Sequence, residues 1–185
     1  MSQTITAREQ LIERLLGVFQ ASGYDGATLT QLAAAAGIGK AGLYHHFPGG
    51  KAEMADVLVR HAAACLEREA FARLAGNAPP AQRLAAFVEG FCRYVEDGET
   101  HCLLAVLAQG SAHGAFAEQL AQQYEAWLQR LASVYEATGL KPKRAARAAS
   151  DLLQQLYGAL VLSKLLNDPR HFRRASRRIG KALTR

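Results

Sequence analysis

Residues 28–47 read TLTQLAAAAGIGKAGLYHHF, and the fold is decided there. Thr28 and Gln31 have the spacing of a capping box, in which two side chains satisfy each other's backbone donors, so a short helix is predicted to open at Thr28. Four alanines carry it to Ala36, and Gly37 stops it, because glycine readily takes the left-handed conformation that ends helices. A second short helix is predicted over about Lys40 to Phe47, closed by Pro48-Gly49-Gly50. Two short helices, a glycine in the tight turn and the small Ala33 at the crossing are the layout of a helix-turn-helix. Leu32, Ile38, Leu43 and Phe47 then pack inward, and the second helix lies exposed. Such a helix can enter the major groove with its N-terminal residues toward the bases, here Lys40, Ala41, Gly42, Tyr44 and His45. The same pattern also fits an ordinary helical hairpin inside a bundle.

Outward from this stretch the pattern stays helical. Upstream, Thr6 and Glu9 form another capping box, and Leu11, Leu15, Leu16 and Phe19 follow at core spacing to a stop at Ser22-Gly23. Downstream, a long helix is predicted from Lys51 to about Ala75, broken by Gly76-Asn77-Ala78-Pro79-Pro80. Leu84, Phe87, Val88, Phe91 and Val95 form one apolar stripe that Asp97-Gly98 closes. A short helix from Leu103 to Gln109 ends at Gly110; longer ones span Ala115 to about Thr138 and Arg144 to Leu166, and Pro169 starts the last. Half of the 185 residues are apolar, while strand-favouring residues are sparse, so the class is all-α with about nine helices. Residues 1–50 are read as a helix-turn-helix DNA-binding domain and 51–185 as a helical ligand-binding and dimerisation domain.

The net charge of +6 suggests a polyanionic partner, but its distribution matters more. Lys and Arg match Asp and Glu in residues 1–60, whereas residues 141–185 carry 12 cations against 2 carboxylates. Within that quarter Arg170, Arg173, Arg174, Arg177, Arg178 and Lys181 form one helical stripe, with Phe172, Ile179 and Leu183 on the reverse. The stripe is read as a solvated face, ahead of an acidic partner surface or an anionic ligand or membrane. DNA binding near the N-terminus must therefore rest on motif and geometry. Cys65, Cys92 and Cys102 fit neither a disulfide framework nor a zinc knuckle, the N-terminus has no secretory pattern, and Leu152–Leu166 is too short and too polar to span a bilayer. The expectation is a cytoplasmic protein with no membrane partner.

Residues 8–60, including GYDGATLTQLAAAAGIGK and LYHHFPGGKAEM, resemble the N-terminal DNA-binding domain of the TetR family of transcriptional regulators. FPGGK and HCLLAVLA resemble its LmrA/YxaF-like subgroup. The resemblance implies phosphate contacts from Thr28 and Lys51, backbone or base contacts from Tyr44 and His45 with His46 beside them, turn-proximal contacts from Lys40 and Gly42, and a structural Phe47. Gly39 and Gly42 stand where that family often has hydroxyl residues, and the loop before Lys51 is one residue longer than in most members. The resemblance also implies a homodimer, a double-stranded DNA operator and an unidentified small-molecule effector held between the C-terminal helices. Phe91, Tyr94, Leu103, Leu107, Tyr124 and Trp127 are the candidate effector contacts, although core packing explains most such aromatic residues. Leu152, Leu156, Tyr157, Leu160 and Val161 are expected to give the dimer a two-sided apolar surface.

Competing chemistry finds little support. His45 and His46 are adjacent on a helix and point about 100° apart, which suits phosphate or base contacts better than a shared ion. His101, Cys102 and His113 suggest a metal or thiol sensor only weakly, and Glu96, Asp97 and Glu99 read as a solvated turn. No nucleophile-base set, phosphate loop or H-E-x-x-H is present, so neither an enzyme, a metal site nor a cofactor is expected. The reading is a dimeric repressor released from a palindromic operator by a small molecule. The alternative is a helical small-molecule-binding or interaction protein without specific DNA binding.

Overall fold

Helix starts and stops largely follow the turn chemistry. The computed structural model describes residues 7–109 and 113–184, which form α1 (Ala7–Gly26), α2 (Leu29–Ala36), α3 (Lys40–His46), α4 (Gly50–Glu69), α5 (Pro80–Tyr94), α6 (Leu103–Leu107), α7 (His113–Glu136), α8 (Pro142–Leu165) and α9 (Arg170–Leu183), with no strand among the described residues. Thr6, half of the first capping box, and Gly110, the expected stop of α6, lie outside the described residues. Near the end of α1, Gly23 has φ 66° and ψ −174°, so the regular helix breaks at the predicted glycine although one more turn reaches Gly26.

Two compact units result. The first comprises the described residues up to Ala63 together with Cys102–Glu118, and the second comprises Ala64–His101 with those from Gln119 onward. The dividing point lies inside α4. In the first unit α1 packs against both α2 and α6, and α2 against α3. Leu15, Phe19, Leu32, Leu43, Met54, Leu103 and Leu107 are all fully buried. At roughly 1.5–3 kcal/mol for each large apolar side chain removed from water, these residues are the main support of a small helical unit.

The second unit is built on aromatic packing. Phe71 stacks on Trp127 with centroids 4.4 Å apart and planes 6° from parallel, and Phe87 lies 4.8 Å from Phe71. That burial corrects the expected length of the fourth helix. It ends at Glu69 instead of continuing to Ala75, and the chain tightens into a 3-10 turn, Phe71–Leu74, that drops Phe71 and Leu74 into the core. Tertiary burial overrides the helix propensity of Ala70, Ala72 and Ala75. Two long-range hydrogen bonds fix the turn: Arg83 Nη1 donates to Leu74 O at 3.0 Å, and Arg130 Nη2 donates to Phe71 O at 2.8 Å. Arg130 Nη1 and Trp127 Nε1 both donate to Glu67 Oε2, at 2.6 and 3.0 Å. No side chain is tolerated at Gly90, whose Cβ would stand 2.0 Å from Glu69 O where α5 crosses the end of α4.

The predicted stripe of α5 is buried throughout. It closes through Glu96, Asp97 and Gly98, all at positive φ, as the acidic turn expected there. α9 packs on α5 and α8 through Phe172 and Ile179, and Ser163 Oγ accepts from Phe172 N at 2.7 Å. Before α9, Asp168 accepts from the Arg170 backbone at 3.0 Å and from its Nε at 2.9 Å. These bonds, the side-chain one foremost, hold the half-buried carboxyl down at about 2.

The expected dimer surface on α8 needs a correction. Leu152, Leu156 and Leu160 are buried within the chain, because α8 turns that side toward the core of the second unit. Of the expected set Val161 is exposed and Tyr157 half-buried; the further exposed apolar side chains lie beside Val161, at Leu162 and Leu165, with Leu166 just beyond. No helix among the described residues is long and apolar enough to cross a membrane.

Candidate nucleic-acid interface

Side-chain reciprocity at Thr28 sets the position of α2. Gln31 N donates to Thr28 Oγ1 at 3.2 Å, and Thr28 N donates to Gln31 Oε1 at 3.0 Å, so both halves of the predicted capping box form. At the other end Gly37 has φ 71° and ψ 24°, and Ile38 N donates to Ala33 O at 3.2 Å. Arg14, on α1, donates from Nη1 to Ala36 O at 3.2 Å. It thereby satisfies a carbonyl that the end of α2 leaves open. Sequence reasoning missed this arginine, which has no local partner to announce it.

The turn sends the chain into α3 through Gly39, which adopts an extended N-cap conformation and supplies no side-chain cap. Along α3 one side is buried and the other free. Leu43 and Phe47 are fully buried, whereas Lys40, Ala41, Tyr44, His45 and His46 are exposed, and Gly42 is intermediate. The imidazoles of His45 and His46 sit edge to face at 5.5 Å. Among the described residues no three His, Cys, Asp or Glu side chains gather as metal ligands.

The longer loop after Phe47 is ordered by backbone and carboxylate bonds. Gly50 N donates to Phe47 O at 2.9 Å, and Glu53, in the first turn of α4, accepts from Gly49 N at 2.7 Å. Lys51 is half-buried, its ammonium donating to Tyr24 O at 2.9 Å and lying 4.5 Å over the Tyr24 ring. The lysine therefore pins the start of α4 to the end of α1. Two of its three donors remain for another acceptor. Thr28 is exposed at the start of α2.

Two family models match this chain. Residues 11–58 match the bacterial regulatory proteins of the tetR family, and residues 80–178 match the C-terminal domain of LmrA/YxaF-like transcriptional regulators. The chain belongs to the TetR family. Among curated relatives, this TetR-family chain is 28% identical over 165 residues to the HTH-type transcriptional regulator LmrA of Bacillus subtilis, covering 85% of the chain and 86% of the relative. Among solved structures it is similar to a TetR transcriptional regulator from Chloroflexus aurantiacus, with a TM-score of 0.78 and 22% identity over 97% of this chain and 94% of the other. A TetR-family regulator from Agrobacterium tumefaciens gives a TM-score of 0.79 at 20% identity, covering 95% and 96%. The family is one of DNA-binding transcriptional regulators, not of enzymes, and the matched residues 11–58 span α2 and α3.

The candidate effector residues fall into two groups. Phe91, Tyr94, Tyr124 and Trp127 lie in the second unit. There Phe91 and Tyr94 are 6.4 Å apart, Tyr124 and Trp127 5.1 Å, and Tyr157 meets both Phe91, at 5.2 Å, and Tyr124, at 6.0 Å. The hydroxyls of Tyr124 and Tyr157 are hydrogen-bonded at 2.6 Å. Leu103 and Leu107 are buried on α6 in the first unit. Cys102 is buried beside them, His101 belongs to the second unit, and the side chain of His113 lies outside the described residues.

Proposed function

We propose that this TetR-family regulator is a dimeric repressor in the cytoplasm that binds a palindromic operator and is released from it by a small molecule. Residues 1–50 act as its DNA-binding domain and 51–185 as its ligand-binding and dimerisation domain. The division of α3 into a buried side at Leu43 and Phe47 and a free side carries the reading. A helix held by one face and bare on the other is what major-groove entry requires. Lys40, Ala41, Gly42, Tyr44, His45 and His46 meet the DNA along that free side, and Thr28 and Lys51 take phosphates, Lys51 through the donors left over from Tyr24. Two copies place two such helices on half-sites about 34–36 Å apart, so a ligand that changes their separation by a few ångströms ends binding.

The effector is taken by Phe91, Tyr94, Tyr124 and Trp127, joined by Tyr157. Leu103 and Leu107, which pack with α1, are left out of this set. Aromatic walls with a pair of hydroxyls suit an apolar molecule bearing one hydrogen-bonding group. The test is selection of bound fragments from random DNA by the purified protein. A recovered palindrome whose affinity falls in Tyr44→Ala and His45→Ala supports the reading, and no enrichment of any sequence ends it.

A further inference from the structure

α9 turns its apolar side into the chain, where Phe172, Ser176 and Ile179 are buried and Leu183 is half-buried. Of the six cations on its outer side, two are neutralised. Arg170 pairs with Asp168 at 2.8 Å and Arg173 with Glu99 at 2.8 Å. Arg174, Arg177, Arg178 and Lys181 form no ion pair or side-chain hydrogen bond among the described residues, and all four are exposed. They share about 10 Å of helix rise. The shallow trough along them, about 990 Å³, is lined by α9 alone and carries no carboxylate; Arg177 and Lys181 also border the groove on the α5 side, where Glu89 and Asp97 lie but pair with neither.

We propose that this outer face of α9 is a docking surface for the phosphate backbone of double-stranded DNA, independent of sequence and separate from the reading helix α3. Four unneutralised cations this close repel one another, and a polyanion relieves that repulsion while releasing its own counterions. The choice of occupant follows from what the face lacks. A protein partner or an anionic bilayer is gripped through aromatic or large apolar anchors beside the charges, and the only apolar side chains on the trough are Ala175 and Ala182. A phosphate backbone needs cations only, and the planar fork of arginine, which supplies three of the four, matches phosphate in a two-point geometry.

The experiment uses the full chain and a random-sequence duplex, titrated between about 50 and 200 mM salt. The parent is the Lys40→Ala/Tyr44→Ala/His45→Ala variant, which removes most of the side-chain contribution of α3, and the operator reading is scored separately, on the unsubstituted protein with selected fragments. Adding Arg174→Gln, Arg177→Gln, Arg178→Gln and Lys181→Gln is expected to weaken duplex binding at least about tenfold at the lower salt and to lower the slope of log affinity against log salt by about 3. Arg174→Lys/Arg177→Lys/Arg178→Lys, which keeps the charge, should retain most of the binding. Arg177→Gln/Arg178→Gln gives about half the slope change and serves if the fourfold variant does not fold. Unchanged affinity and slope in a folded glutamine variant overturn the proposal. So does binding of the parent to phosphatidylglycerol vesicles without binding to the duplex, which assigns the face to a membrane.

Discussion

Gly90 lies against the Glu69 carbonyl so closely that a methyl group there would stand 2.0 Å from the oxygen and 2.7 Å from its carbon. Both obstacles are backbone, so neither can swing aside. Gly90→Ala is expected to lower stability by about 3 kcal/mol or more, at the upper end of overpacking costs, since α5 must lift from the end of α4. Denaturant unfolding measures this, and a cost under about 1 kcal/mol would mean that the crossing adjusts freely.

On α8, Leu162→Asp/Leu165→Asp is expected to give folded monomers with weakened DNA binding, because these side chains are exposed in the chain. Leu156→Asp acts differently. It puts a carboxylate into the core and should cost about 3 kcal/mol or more of stability, whatever the assembly. Sedimentation with circular dichroism separates the two results, and a dimer that survives both exposed substitutions removes this face from the interface.

Lys51 joins α4 to Tyr24 through a hydrogen bond and a cation over the ring. Removing both in Lys51→Ala should cost about 1 kcal/mol, discounted for partial exposure, and should lower the salt slope of DNA binding by about 1 per half-site. A loss of stability with the slope unchanged would make Lys51 a tether and not a phosphate contact.

At Gly39 a Cβ meets nothing within 4 Å, and the backbone is already extended. Gly39→Ser therefore adds a capping hydroxyl to α3 and restricts the unfolded chain, for a gain of about 0.5 kcal/mol. Thermal unfolding checks the sign, and a destabilised variant would show that the serine hydroxyl does not reach the open amides.

Burial, and then the charge of Lys164, push the His101 imidazole below its ordinary value. The unfolded chain therefore binds the proton first, at about 6.5, so the contribution of His101 to stability is constant above that pH and falls as the pH drops from there toward the folded value. His101→Gln should flatten this part of the stability profile. An equal slope in both proteins would trace the loss to another group.

The order of helices was legible because each break carries its own chemistry: Thr28 with Gln31, Gly37, Pro48-Gly49-Gly50 and Pro79-Pro80 act within a few residues of where they stand. The inward and outward sides of α3 followed from spacing alone. Where α4 stops was not legible, because Phe71 leaves the helix for Trp127, 56 positions away in the chain. For the same reason Leu156 and Leu162 look alike in the sequence, and only the packing of α8 distinguishes a core side chain from a surface one. Lys51 stands in the first turn of α4, one residue after the helix opens at Gly50, and its hold on a carbonyl at the end of α1 follows no local rule.

The chain passes between its two units three times, after Ala63, after His101 and after Glu118. An exchange of DNA specificity with a related regulator is therefore not a matter of one splice. A fragment cut at any point before α6 loses Leu103, Leu104 and Leu107, and leaves the side of α1 that they cover facing water. A workable chimera must transplant two separate pieces of sequence together, and drift in either piece is constrained by the other.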